Sequence, residues 1–219
     1  MTPPAPTPLK FLMPGWFAIT MGLCGLSLAW ARAVPAMGEL AGAIAMAMGV
    51  LALLLFGVLG GLSLLRAQRY PQALAEDLRH PIRHAFVAAV PASIVLLATV
   101  ATTLAGPSAL AQAVWMLGAV TQFAVTVWVM ARWLNGNREG GLVWAGLTPV
   151  LFIPIVGNVL TPLAGVALGL PEWAAAQFGV GVVLWPVTLT LLAVRLGQIG
   201  LWPDRMLAST FITIAPPSV

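Results

Sequence analysis

The chain has 219 residues, of which 60% are hydrophobic and only 7% charged, with a formal net charge of +4. Soluble domains carry about 25% charged residues, so an ordinary soluble domain is excluded, and the length suits one compact helical membrane domain. The basic residues are spread too thinly to form a nucleic-acid patch, and the single cysteine, Cys24, permits no intrachain disulfide, zinc or redox motif.

Six uncharged stretches fill most of the chain: 11–31, 40–65, 85–106, 107–131, 140–171 and 173–194. Each reaches the roughly 20 apolar residues that a membrane span needs. Lys10 before the first run and Ala29-Trp30-Ala31 within it loosely imitate a secretory signal. The run is too long for a signal core of about 7–15 residues, so it reads as a retained first span. Residues 1–10 are then an N-terminal tail and 11–219 the membrane domain. A last apolar run, Met206 to Val219, has 14 residues. At helical rise it covers about 21 Å of a roughly 30 Å hydrocarbon core. It is expected to be the first part of a seventh span, incomplete at the C-terminus.

The basic residues give an orientation. Lys10, then Arg66, Arg69, Arg79 and Arg83, then Arg132 and Arg138, then Arg195 and Arg205 fall on one side of the spans, and Arg32 alone on the other. The positive-inside rule puts the N-terminus in the cytoplasm; the expected location is the plasma (cell inner) membrane. The spans then pair as antiparallel hairpins, first with second, third with fourth, fifth with sixth.

Proline recurs by position: Pro14 in span one, Pro91 in span three, Pro149 and Pro154 in span five, Pro216 and Pro217 in the last run. Among even spans only the sixth has an interior one, Pro186. Phenylalanine accompanies the prolines at Phe17, Phe86, Phe152 and Phe211. Inside lipid, broken helix geometry survives only against protein or a water-filled cavity. The expected fold is therefore an all-α polytopic bundle of hairpins, with Pro-kinked odd helices forming an inner pore layer and even helices facing lipid. Proline is also simply commoner in membrane helices, and both readings stand at this point. Gly22, Gly25, Gly60, Gly61, Gly157, Gly165 and Gly169 are expected to allow close helix packing.

No carboxylate lies deep in any span; Glu39 and Glu172 sit at span ends, and Glu76, Asp77, Glu139 and Asp204 in cytoplasmic loops. Coupled pumps and membrane enzymes generally need buried ionisable groups. The deepest polar residues are Gln122 and Asn158, with hydroxyls such as Ser93, Thr126 and Thr161. Gln122 suits an interhelical hydrogen bond; Asn158, beside Gly157 on an inner span, suits either packing or the passage. Without acidic rings a conduit does not attract cations, whereas helix amides and basic loops permit anions. His80 and His84 are four apart, but Pro81 spoils the helical turn between them, and no metal or cofactor is expected. The stretch 66–84 reads as an amphipathic cytoplasmic linker. Two other readings stay open. One is a membrane-embedded enzyme acting on lipids, using Arg79, His80, Arg83 and His84 with Glu76 and Asp77; the other is a non-conducting structural subunit.

Three segments carry a resemblance. They are Pro14-Gly15-Trp16-Phe17 with the following Met21 to Trp30, His80-Pro81-Ile82-Arg83-His84-Ala85-Phe86-Val87 with Pro91, and Phe211 to Pro217. With Pro154 and Gly157-Asn158 between them, they resemble, in order, the tellurite-resistance/dicarboxylate transporter family, of the voltage-dependent anion channel superfamily. The resemblance implies ten helices in five hairpins, of which this chain would hold six full spans and part of the seventh. It implies homotrimers in lipid, with one pore per subunit closed by phenylalanine. It implies movement of small anions: a dicarboxylate such as malate, sulfite, chloride or nitrate, with tellurite resistance as a side effect. The pore-lining or gating candidates are Pro14, Gly15, Phe17, Phe86, Pro91, Pro154, Asn158, Phe211 and Pro216. The sequence departs from the family at His84, where an aromatic residue is usual, and it does not reach the ninth helix, which carries the family's main gating phenylalanine.

Overall fold

A computed structural model describes residues 8–134 and 143–215. Every described element is helical: α1 (Phe17–Met37), α2 (Glu39–Arg69), α3 (Pro71–Arg79), α4 (Ala89–Ala105), α5 (Ala109–Leu134), α6 (Phe152–Val159), α7 (Pro162–Gly165), α8 (Pro171–Ile199) and α9 (Asp204–Leu207), joined by short 3-10 turns. Among the described residues, five helices are long and apolar enough to cross a membrane: α1, α2, α4, α5 and α8, with the turns that lead into α1 and α4. The most extensive packing joins α1 to α2, α4 to α5 and α6 to α8, the expected hairpins, and α1 also lies along α4. Each hairpin turns at a glycine with positive φ: Gly38 (67°), Gly106 (86°) and Gly169 (78°). That region is costly for any residue with a Cβ.

The helices outrun the apolar stretches. α1 continues to Met37, α2 to Arg69 and α8 to Ile199. A charge ends a hydrophobic run without ending a helix, because long basic side chains keep their heads in the interfacial region. The larger departure is the fifth stretch. In place of one span across 140–171, its described part is a 3-10 turn (Pro149–Leu151), α6 and α7. Pro149, Pro154 and Pro162 divide it, since each removes an amide donor and crowds the preceding turn. Nearly every side chain from Leu147 to Thr161 is buried, so the broken backbone is shielded as lipid requires.

The repeated prolines share one local geometry. Pro14 opens a 3-10 turn (Pro14–Trp16) that runs into α1. A 3-10 turn (Arg83–Ala88) precedes α4, whose third residue is Pro91. The turn Pro149–Leu151 precedes α6, whose third residue is Pro154. A proline in the first turn of an α-helix removes an amide that would have no partner in that helix. Each odd segment thus enters the bundle through a 3-10-to-α junction in place of a mid-helix kink. The last stretch is a 3-10 run (Ala208–Ile214) after α9, packed on Pro149–Leu151 and α6; Pro216 and Pro217 lie outside the described residues.

The inner-layer expectation divides. The third span and the broken fifth are the most buried, whereas α1 is about as open as the even helices. α2 and α4 cover two sides of α1; its Ala18, Gly22, Gly25 and Ala29 face stays exposed. The glycine expectation also changes. Gly22, Gly25, Gly60 and Gly61 have no neighbour within 4 Å of the place a Cβ would take. Gly157 and Gly165 of the fifth segment do make close approaches, against Gln122 and against Trp115 and Ala174; others are made by glycines of the even helices, each receiving a valine of an odd one. A Cβ on Gly49 would stand 2.9 Å from Val100, on Gly118 2.9 Å from Val95, and on Gly181 2.6 Å from Val159. Small residues let backbones approach where no hydrophobic drive separates helix from lipid.

The Gly118 contact includes the Val95 backbone nitrogen, also at 2.9 Å, which cannot rotate away. Gly118→Ala is expected to cost about 1–3 kcal/mol by overpacking, whereas Gly61→Ala, facing open space, stays within about 0.5 kcal/mol. Thermal unfolding of the two variants in detergent micelles checks this.

Candidate functional site

The candidate residues near the start of the odd segments come together. The Pro14–Trp16 turn packs on the Arg83–Ala88 turn, and the Phe86 ring lies over Gly15, where a Cβ would stand 3.0 Å from it. Phe17, only 3% exposed, packs edge-on against Phe56 with centroids 5.4 Å apart. Its carbonyl is 3.2 Å from Ser93 Oγ, whose proton the Ala89 carbonyl also draws at 2.7 Å. Pro91, two residues before Ser93, is buried. Pro14 and Phe17 line an apolar groove of about 450 Å³ between α1, α2 and α3. Phe211 is elsewhere and 74% exposed.

Asn158 is fully buried and belongs to a polar lock between α5 and α6. Its Nδ2 donates to the Pro154 carbonyl (2.7 Å) and to Thr126 Oγ1 (2.8 Å). Gln122 Nε2 donates to the same carbonyl at 2.9 Å, and Thr126 Oγ1 lies 2.9 Å from it and 2.8 Å from the Gln122 carbonyl. One backbone oxygen at the proline-broken helix thus collects three side chains. Gln122 reaches it across Gly157, where a Cβ would fall 2.2 Å from the amide. Thr161 continues the series, donating to the Asn158 carbonyl (2.8 Å) or to Ala174 on α8 (3.2 Å). Gln122 Oε1 and Asn158 Oδ1 remain without partners.

A second polar assembly, which sequence reading misses, fastens the basic end of the bundle. Asp77 on α3 is 1% exposed and holds two arginines, Arg66 Nη2 at 2.7 Å and Arg83 Nη1 at 2.6 Å. Arg66 is also buried and donates to the Lys10 carbonyl (3.0 Å) and the Ala73 carbonyl (3.3 Å). Arg132 on α5 reaches the Leu78 carbonyl at 2.6 Å and lies 5.1 Å over Trp128, against which His84 packs edge-on. Arg195 stacks on Trp202, whose Nε1 donates to the Leu147 carbonyl at 2.8 Å. The signal was present in the 66–84 stretch, but spacing alone does not pair Asp77 with an arginine 11 residues earlier.

These contacts assign work to the cluster on which the lipid-enzyme reading rests. Both Asp77 oxygens are engaged. His80 Nδ1 accepts the Ile82 and Arg83 amides at 3.1 and 3.2 Å. Burial first, then the Arg83 charge, hold His80 below its ordinary value, with Asp77 opposing. His84 Nδ1 donates to the His80 carbonyl at 2.9 Å. The amphipathic linker is thus α3 and its fastenings.

At the opposite end a cavity of about 320 Å³ is bounded by α1, α4 and the residues that follow α6. Its lining comes from all three odd segments. Arg32, Thr99 and Thr103 are its polar members.

Two variants separate the locks. Asp77→Asn leaves Arg66 buried without its countercharge and is expected to cost about 3–5 kcal/mol. Gly157→Ala displaces Gln122 and strips one donor from the Pro154 carbonyl, costing about 1–3 kcal/mol. Chemical denaturation in mixed micelles, followed by tryptophan fluorescence, measures both.

No curated protein matches this chain. The family model described as SLAC1, voltage-dependent anion channel, matches residues 12–219. That match takes in the 3-10-to-α junctions, the hairpins and both polar assemblies, and families of this kind are anion channels and transporters rather than enzymes. The chain belongs to the voltage-dependent anion channel family.

Proposed function

We propose that this protein conducts small anions passively across the plasma (inner) membrane, along the face that its odd segments share. The observation that carries this reading is the arrangement of those segments. α4 packs against both α1 and α6, each odd segment begins at a proline-bearing junction, and none carries a carboxylate. A passage without fixed negative charge does not attract cations, and helix amides with the basic loops permit anions. The substrates are chloride, nitrate, sulfite or a dicarboxylate such as malate, with tellurite resistance as a consequence. The basic end faces the cytoplasm by the positive-inside rule, and the subunits assemble as homotrimers, as the resemblance implies.

Aromatic rings gate the passage. Phe86, partly buried over Gly15, is the better placed of the candidates to swing aside, because Phe17 is held by Phe56. Phe211 is exposed and lies apart from the other rings. Pro14, Gly15, Pro91, Pro154 and Asn158 set the backbone on which these rings turn.

Proteoliposomes loaded with chloride, nitrate or malate test the proposal. The expected result is anion efflux driven by a potassium diffusion potential, with no matching cation leak. Phe86→Ala raises the rate by about tenfold if the ring is the barrier, a change of about 1.4 kcal/mol. Phe17→Ala instead lowers stability by about 3–5 kcal/mol. Folded protein without anion flux overturns the reading.

A further inference from the structure

The cavity opposite the basic end is lined by a basic side chain that has no ion-pair partner among the described residues. Arg32 is the one basic residue that the charge pattern places on that side; it is exposed and lines the cavity. The two ion pairs among the described residues both use Asp77. Glu39 and Glu172, at the starts of α2 and α8, face the same end of the bundle and pair with nothing there. The hollow exists because α1 is small on this side: a Cβ on Gly25 would meet nothing within 4 Å, and Ala29 is one turn on. Leu96 and Leu160 supply apolar walls, which strengthen a charge interaction by excluding water. The Thr99 and Thr103 hydroxyls already donate to the Val95 and Thr99 carbonyls, each at 2.8 Å. The guanidinium is therefore the donor left for a guest.

We propose that this cavity is an anion-binding vestibule in which Arg32 selects planar oxyanions, carboxylate or nitrate, over halide. Guanidinium presents a rigid fork of N–H donors that matches two coplanar oxygens. A spherical halide uses the charge but not the fork. The proposal rests on the conduction reading for its purpose, not for its binding chemistry.

The test measures binding and flux separately on the full chain. Titration calorimetry in nanodiscs gives affinities for malate, nitrate and chloride; proteoliposome flux gives half-saturating concentrations. Arg32→Gln is expected to weaken all three anions by about tenfold. Arg32→Lys keeps the charge and loses the fork, so malate and nitrate weaken about fivefold while chloride changes less than about twofold. Gly25→Leu, which fills the hollow without touching Arg32, weakens the larger malate most. Binding lost in Arg32→Gln with no flux in any form supports the vestibule and sinks the conduction reading. Flux with affinities and half-saturation unchanged in Arg32→Gln sinks the vestibule and leaves conduction standing. Absence of binding to the unaltered protein also overturns the vestibule. Arg32 is exposed, so these variants fold as the parent does, and the Arg32→Lys thermal midpoint verifies it.

Discussion

An unpartnered backbone group in lipid costs several kcal/mol, and this chain breaks its backbone pattern in every odd segment. The rest of the architecture follows from having to shield those breaks. Placing Pro14, Pro91 and Pro154 at junctions between 3-10 and α geometry limits the number of orphaned carbonyls. Where the fifth segment carries three prolines in close succession, it cannot face lipid at all, and α4, α5 and α8 enclose it. The Pro154 carbonyl then becomes a nucleus for Asn158, Gln122 and Thr126, which tie the break to the neighbouring helix.

Enclosure requires close approach, and that requirement explains where glycine matters. Gly49, Gly118 and Gly181 lie on the even helices and receive valines of the odd ones. Rigid β-branched knobs lose little entropy on packing, and glycine holes cost nothing in side-chain volume. The glycines of α1 do the reverse. Gly22 and Gly25 have open space before them and leave a hollow where a larger residue would fill one.

Charge is divided between the two ends in keeping with this plan. At one end, arginines are consumed in fastening: Arg66 and Arg83 on Asp77, Arg132 on α3 carbonyls, Arg195 on Gly200 and Trp202. Arg66, Arg83 and Asp77 are tolerated because they are paired and hydrogen-bonded, and Arg132 and Arg195 are received by backbone carbonyls and indole faces. At the other end Arg32 has no carboxylate partner among the described residues and stands beside a cavity of the odd segments. One set of cations holds the fold, whereas Arg32 borders a cavity.

The sequence by itself determined the class of fold, because apolar runs of spanning length have few alternatives in a bilayer. It determined the hairpin pairing and the grouping of basic residues, which depend on chain order, and it marked the odd segments through Pro14, Pro91 and Pro154. Gln122 was legible as an interhelical donor, since an amide in a span has little else to bond. Only the tertiary structure decided that the fifth stretch is a broken, enclosed segment rather than one long span, because apolar content does not report continuity. It decided that Phe17 is pinned by Phe56 while Phe211 is exposed, as phenylalanine suits core and gate alike. It brought Asp77 to Arg66 and gave Arg32 a cavity, because a side chain's neighbours depend on how separate helices rotate about their axes, and residue spacing along the chain carries no record of that rotation.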